Sequence, residues 1–508
     1  MKSVLSTLFL ASSALGALNK TAGIHAALDI LVLEQAKDVY FDSLVAFINN
    51  LTIPDVTDDK GNYFTGNSFV LNERTDDVLI YTDVPNNAIV MHCNKMSGVF
   101  YNDAFRYKEW PFVATGHSEV IINTILVQFG LSFGTTDLPD GRRLPYITGV
   151  DIKTNVDRFD INIKIWGNIW SDIASLFEVF FVGTVADLIE QAIIWGTGTE
   201  IPAIANAWIQ KTDGYFPIPI YPYWTLDWET DKRVEVTDTY FEVGVKGLFF
   251  DKQLGETEPT APIPVMPVYD TSRPEKFQAY VSAYSVDSFL SSWSEVGSID
   301  FWFNATEVPA NATANLTTTT LNILMPGIAD AYGEGLPCDV KFHILNFGNI
   351  EITADNQEIF TNVDLTMQFY VETATGLEYA AEVTLTNANF GYTLVIDNMQ
   401  IMIALDEIKS TDVKIDYCSW GTFSTIIFKT KLNLVFQTFK VWINQKLAGR
   451  SLTFPSNIMG IFELSNLNVI YYNDYLYCGA TPTFIGTASQ AFALHHYLTE
   501  DPENLQPL

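Results

Sequence analysis

Two periods alternate along the chain, and the alternation happens twice. From Gly23 to Asn50, apolar residues fall at Ile24, Leu28, Leu31, Val39 and Phe47, at spacings of three, four or their sums. This predicts an amphipathic helix, ended by Pro54 and the polar run Thr57 to Lys60. From Ser68 to Ile165 the period becomes two. Ile121, Ile125, Val127, Phe129, Leu131 and Phe133 share one side, and Phe159, Ile161, Ile163 and Ile165 alternate with Arg158, Asp160, Asn162 and Lys164. These are long antiparallel strands with one dry face and one wet face. The helical period returns from Trp170 to Trp195, through Ile173, Phe177, Phe180, Leu188 and Ala192. Asp172, Glu178, Asp187 and Glu190 interrupt that stretch, so it is not a membrane span. A strand is predicted from Val234 to Phe250.

Five prolines between Glu256 and Pro274 mark a stiff, extended linker. Beyond it the plan repeats. Leu321 to Tyr332 reads as a short helix, strands follow from Val340 to Ile415, and Ser424 to Leu447 reads as a long helix with Phe428, Leu432, Val435, Phe439 and Ile443 on one face. A last strand is predicted from Leu467 to Cys478. The length of 508 residues suits two domains of this kind. A long helix laid on a curved apolar sheet either packs into a filled core or leaves an apolar groove wide enough for an acyl chain, and periodicity does not choose between the two.

Composition narrows the function. The net charge of −32 repels nucleic acid and anionic membranes at long range, so nucleic acid is excluded as a partner. Lys2, the apolar run Val4 to Leu15 and the small residues Ala14 and Gly16 read as a signal peptide over 1–16, which implies secretion. Asn19, Asn50, Asn304, Asn311 and Asn315 head glycosylation sequons. The four cysteines have no metal-ligand spacing. Cys418 and Cys478 are the favoured disulfide pair, each at or just past a strand end, with Cys338 as a competitor for either. No nucleophile elbow, HExxH, phosphate-binding loop, dinucleotide fingerprint or calcium loop occurs. The reading is therefore of a protein that is not an enzyme and needs no cofactor or metal.

Five strings carry a resemblance. They are Leu51-Thr-Ile-Pro-Asp-Val56 after the first helix, Val245-Lys-Gly-Leu-Phe-Phe250 before the linker, an extended segment Phe277 to Asn304, Leu324-Met-Pro-Gly-Ile-Ala-Asp-Ala-Tyr332, and Leu447 to Gly479. In order and spacing they resemble the family of bactericidal/permeability-increasing protein, lipopolysaccharide-binding protein and the cholesteryl ester and phospholipid transfer proteins. The resemblance implies an α+β boomerang: two antiparallel β-barrels, each with a long helix packed into it, joined by a central antiparallel sheet. The implied layout is an N-terminal barrel domain over 17–258, the linker over 259–274, a C-terminal barrel domain over 275–480 and a tail over 481–508. It also implies one apolar lipid pocket per barrel. The inward helix faces are expected to line them: Ile24, Leu28, Leu31, Phe177, Phe180 and Leu188 in the first, and Leu321, Leu324, Leu432, Val435 and Phe439 in the second. The family's usual disulfide joins a strand near Ile152 to the helix over 185–193, and neither place holds a cysteine.

The implied partners are a phospholipid or another acyl lipid, with a membrane or lipoprotein surface as the place of exchange. The alternative is a defence protein that binds microbial lipopolysaccharide. Family members with that role carry a basic barrel tip, whereas in the matching loop here, Tyr101 to Glu119, Arg106 and Lys108 are offset by Asp103 and Glu109. Five of the nine basic residues after the linker lie in or just beyond the last long helix, at Lys429, Lys431, Lys440, Lys446 and Arg450. The same tip holds Phe105, Tyr107, Trp110 and Phe112 around Pro111, an aromatic group suited to a headgroup layer if its rings do not fold back on the barrel.

Overall fold

A computed structural model describes residues 23–485 except 75–76, 110–111, 169–173, 218–222, 231–233, 260, 297–298, 309–314, 356, 398, 410–411, 449–451, 454–456 and 459–461. The signal sequence, Asn19, Trp110, Asn311 and the tail beyond residue 485 lie outside the described residues. The described strands form three seven-stranded antiparallel sheets and one three-stranded sheet.

The chain opens with β1 (Ile24–Asp29) and then α1 (Ile30–Ile48). This corrects the expectation of a single helix from Gly23. Apolar spacing over Ile24 to Leu33 fits either element, and pairing decides. β1 has a strand on each side, Tyr240–Val245 and Phe277–Ser282, and these satisfy its backbone groups. Asp29 makes the switch to helix, its side chain accepting from the Leu31 N–H at 2.9 Å.

The N-terminal sheet consists of β2 (Val56–Thr57), β3 (Tyr63–Arg74), β4 (Leu79–Asp83), β5 (Ala88–Glu109), β6 (Phe112–Asp137), β7 (Arg143–Val156) and β8 (Ile161–Asn168). Its order is β2-β3-β5-β6-β7, with β4 on β5 and β8 on β6. In β6, Val120 and Ile122 and then Ile125 and Val127 are fully buried; the alternation shifts by one residue between Ile122 and Ile125, so Ile121, expected on the dry side, is only partly buried. α2 (Ala174–Trp195), a π-turn over Gly196–Glu200 and α3 (Ile201–Thr212) then cross the sheet at β7. Glycine is needed at that crossing, because a Cβ on Gly149 of β7 would fall 2.7 Å from the Gly198 Cα.

The remaining first-half strands are β9 (Tyr215–Pro217), β10 (Trp224–Asp227), β11 (Glu235–Val236), β12 (Tyr240–Val245) and β13 (Leu248–Asp251), so the strand expected over Val234 to Phe250 is broken. Gly247, whose φ of 68° an ordinary side chain adopts only with strain, makes the second break. After the linker, β14 (Phe277–Ser282) runs into α4 (Ala283–Val296) and β15 (Ile299–Phe303). The extended segment expected here therefore contains a helix, capped by the Ser282 hydroxyl, which accepts from the Ser285 N–H at 3.2 Å. α5 (Thr318–Leu321) and α6 (Ile328–Tyr332) are two single turns in place of one short helix, separated at Pro326 and Gly327.

The C-terminal sheet repeats the first. β16 (Cys338–Thr353), β17 (Glu358–Thr373), β18 (Gly376–Asp397), β19 (Gln400–Lys409), β20 (Asp412–Cys418) and β21 (Leu452–Thr453) follow β15, in the order β15-β16-β17-β18-β19-β21 with β20 on β18. α7 (Thr425–Ala448) lies on β19 and β20. β22 (Asn457–Ile458), β23 (Phe462–Tyr472) and β24 (Tyr475–Phe484) close the chain. The single last strand expected from Leu467 is a hairpin turning at Asn473 and Asp474, and it carries β24 past the boundary expected at 480.

The central sheet, ordered β11-β12-β1-β14-β24-β23-β22, draws strands from both halves. Lys246 pins the start of the linker to it, with Asp227 at 3.1 Å, Glu256 at 3.0 Å and Glu258 at 3.2 Å. The expected Cys418–Cys478 bridge does not form. Cys418 sits opposite Ala381 in the C-terminal sheet, whereas Cys478 lies between Ala279 and Val469 in the central sheet. Burial pushes the Cys338 and Cys478 thiols up to about 12, so neither is a ready nucleophile.

Candidate functional site

In each half an asparagine on a helix bonds strand backbone that no neighbouring strand pairs on that side. In the first half, the Asn206 side chain of α3 accepts from the Ile147 N–H at 2.8 Å and donates to the Ile147 carbonyl at 2.7 Å. In the second half, Asn444 of α7 accepts from the Leu405 N–H at 2.9 Å and donates to the Leu405 carbonyl at 3.0 Å. Both clamps satisfy edge-strand backbone that would otherwise template another chain. They also set each helix over the apolar face of its sheet. Glu190 adds a bond from the Val156 N–H at 2.9 Å, and Lys440 pairs with Asp406 at 2.8 Å.

Phe428, Leu432, Phe436, Phe439 and Trp442 of α7 and Val363, Leu365, Met367, Phe369 and Val371 of β17 are buried in one cluster, in which Phe369 meets Phe428 edge to face. The cluster is not sealed. Phe342, Ile344, Phe347, Leu405, Val435 and Ile443 pack against it and stay partly exposed. In the first half, Phe64, Phe105 and Phe181 meet edge to face at 5.1 and 5.6 Å, and Ile161, Ile163 and Ile165 of β8 form a partly exposed apolar row beside that core. The two regions share one chemistry. In each, an apolar cluster lies against a helix and is flanked by partly exposed apolar side chains, a chemistry that suits CH₂ groups at roughly 0.8 kcal/mol each and needs no charged ligand. Among the described residues, no group of His, Cys, Asp or Glu is placed to hold a metal ion. No described helix is long and apolar enough to cross a membrane.

The structure distributes the expected lining residues unevenly. Leu28 and Leu188 join the N-terminal core, and Ile24 packs on it while partly exposed, but Ile24 and Leu28 do so from a central strand. Leu31 points outward at 50% exposure, which corrects its assignment to the lining. Phe177 and Phe180 lie on α2, but their side chains are outside the described ones. Leu321, Leu324, Leu432, Val435 and Phe439 all come together in the C-terminal cluster. At the barrel tip, Phe105 is 1% exposed, which corrects it from a membrane contact to a core ring, whereas Tyr107 packs against the core and stays partly exposed. β5 and β6 pair as far as Glu109 and Phe112, and the Phe112 side chain lies outside the described ones. Asn50 and Asn315 are exposed and Asn304 is partly exposed, as glycan acceptors must be. The sequence reading missed Phe64, Phe181 and Trp442, whose positions on one face depend on strand pairing and helix docking.

A family model described as the LBP / BPI / CETP family, C-terminal domain, matches residues 223–483, more than half of the chain. The chain belongs to the LBP/BPI/CETP family. The match runs from β10 through the linker and the C-terminal barrel to β24, so it takes in both the α7 site and most of the central sheet. Members of the LBP/BPI/CETP family are lipid-binding and lipid-transfer proteins. Among solved structures, lipopolysaccharide binding protein is similar over 92% of this chain and 100% of that chain, at 15% identity and a TM-score of 0.49. P47 of Clostridium botulinum E1 aligns over 91% of this chain and 99% of that chain at 9% identity and a TM-score of 0.26. Takeout 1 of Epiphyas postvittana aligns over 36% of this chain and 89% of that chain at 11% identity and a TM-score of 0.18. No curated protein matches the chain.

Proposed function

We propose that this protein is a secreted lipid carrier that holds the acyl chains of phospholipid or neutral lipid beneath its long helices and exchanges them at a membrane or lipoprotein surface. The observation that carries the reading is the unsealed apolar cluster under α7, inside the span matched by the family model. Phe342, Phe347 and Val435 at its margin are only partly buried and offer apolar surface to an acyl chain. Leu321, Leu324, Leu432, Val435 and Phe439 line that pocket, and Leu28, Leu188, Phe177 and Phe180 line its counterpart. The mature chain begins near Ala17 and carries glycans at the sequon asparagines.

The aromatic segment that contains Trp110 and Phe112 serves as a point of contact with membranes. The test of the pocket uses a fluorescent-tailed phosphatidylcholine. The native protein should take up the probe, and Phe439→Asp should remove the share held by the C-terminal barrel. Full uptake by a folded Phe439→Asp protein would count against the assignment.

A further inference from the structure

The longest stretch of this chain without an acidic residue lies around α7. From Tyr417 to Phe462 there is no Asp or Glu, in a protein that has 60 of them. The same stretch holds Lys429, Lys431, Lys440, Lys446 and Arg450, and α7 occupies its middle. The inner face of α7 packs on the sheet. Its outer face carries large apolar side chains that the fold leaves uncovered: Ile426 at 73% exposure, Leu434 at 55% and Val441 at 71%, with Ile427 at 38%. Ile427, Leu434 and Val441 are seven residues apart, so they lie within about 40° of one another around the helix, and Lys431 lies about 60° to one side of Leu434. Asp406 holds Lys440 at 2.8 Å, while Lys429 and Lys431 sit at exposed positions.

We infer that the outer face of α7 docks the protein on an anionic phospholipid bilayer. A helix with apolar side chains flanked by lysines, and with no acidic residue, matches a surface of phosphate headgroups over acyl chains. The whole chain has a net charge of −32, and the part outside this stretch, with 23 basic and 60 acidic residues, is repelled by such a surface. Repulsion reaches only about 10 Å at ordinary ionic strength. The outer face of α7, which has no acidic residue of its own, can therefore approach an anionic surface more closely than the acidic faces do. This inference extends the lipid-carrier reading without depending on which lipid is carried.

Vesicle flotation of the full chain tests it, with vesicles of phosphatidylcholine alone and of phosphatidylcholine containing about one-third phosphatidylglycerol. The native protein should float with the anionic vesicles and release as salt rises. Lys429→Gln/Lys431→Gln should weaken that binding about 30-fold, roughly five-fold per lysine. Leu434→Ser/Val441→Ser should weaken it by more than about 10-fold, and Lys414→Gln on β20 should leave it unchanged. Circular dichroism melts confirm folding, which the exposure of these positions favours. Equal binding to both vesicle types would overturn the inference. So would native-like binding by either double variant, or assembly into a dimer through this face with no vesicle binding. Lipid extracted from the same proteins should be identical in all of them, so failure to dock and absence of cargo are read separately.

Discussion

Replacing Asn206 by alanine removes the only side-chain clamp seen between α3 and the edge of β7 among the described residues. Asn206 is buried, at 7% exposure, and both of its bonds to Ile147 are buried. The substitution leaves the Ile147 N–H and carbonyl without partners in a region that water does not reach. Each such orphaned group costs about 1–3 kcal/mol, so the pair costs roughly 2–5 kcal/mol. For a domain of this size, a kilocalorie moves the melting temperature by about 2–4 °C, which gives a fall of roughly 5–15 °C. Asn444→Ala should cost less, because Asn444 is only partly buried and water can replace part of what is lost. Thermal unfolding gives the magnitude, and hydrogen exchange gives the place: the Ile147 amide should lose protection in Asn206→Ala while amides of β5 keep theirs. An unchanged melting temperature with a still-protected Ile147 amide would refute the clamp.

Phe105→Ala should cost about 3–5 kcal/mol in denaturant titrations, because the ring is core packing against Phe64 and Phe181; a loss under 1 kcal/mol would return it to the surface. Trp110→Ser/Phe112→Ser should lower vesicle binding with little change in stability, and unchanged binding and stability together would remove this aromatic segment as a membrane contact. Glu275 is a carboxylate whose burial would raise its pKa, but bonds from Asn468 at 2.8 Å and Tyr477 at 3.1 Å outweigh this and hold it below its ordinary value of 4.5. Its contribution to stability is therefore present above that ordinary value and is lost as pH falls through the lowered one. Urea midpoints of the native protein should drop more steeply below pH 4.5 than those of Glu275→Gln, and parallel curves would contradict this.

The long elements were legible because their periods are unambiguous. Val363, Leu365, Met367, Phe369 and Val371 alternate over a full strand, and Phe428, Leu432, Val435 and Phe439 repeat over more than two turns, so β17 and α7 appear where the pattern places them. Ile24 to Leu33 failed for a physical reason. Ten apolar-rich residues satisfy both periods, and the strand is chosen by partners on β12 and β14 that lie far away in sequence. α4 was hidden because its serines read as extended or loop, while Ser282 in fact caps it. The C-terminal lining was legible because one helix and one strand supply most of it. The tip was not, because whether Phe105 faces in or out depends on bulges between Cys93 and Phe105 that reset the alternation of β5.

The central claim is that apolar space under the helices is occupied by lipid. Native protein purified without detergent can be extracted with organic solvent and the extract weighed against protein by mass spectrometry. The account predicts acyl lipid in stoichiometric amount, one or two molecules per chain, reduced in Phe439→Asp. Folded native protein that yields no stoichiometric lipid and takes up none from vesicles would contradict it.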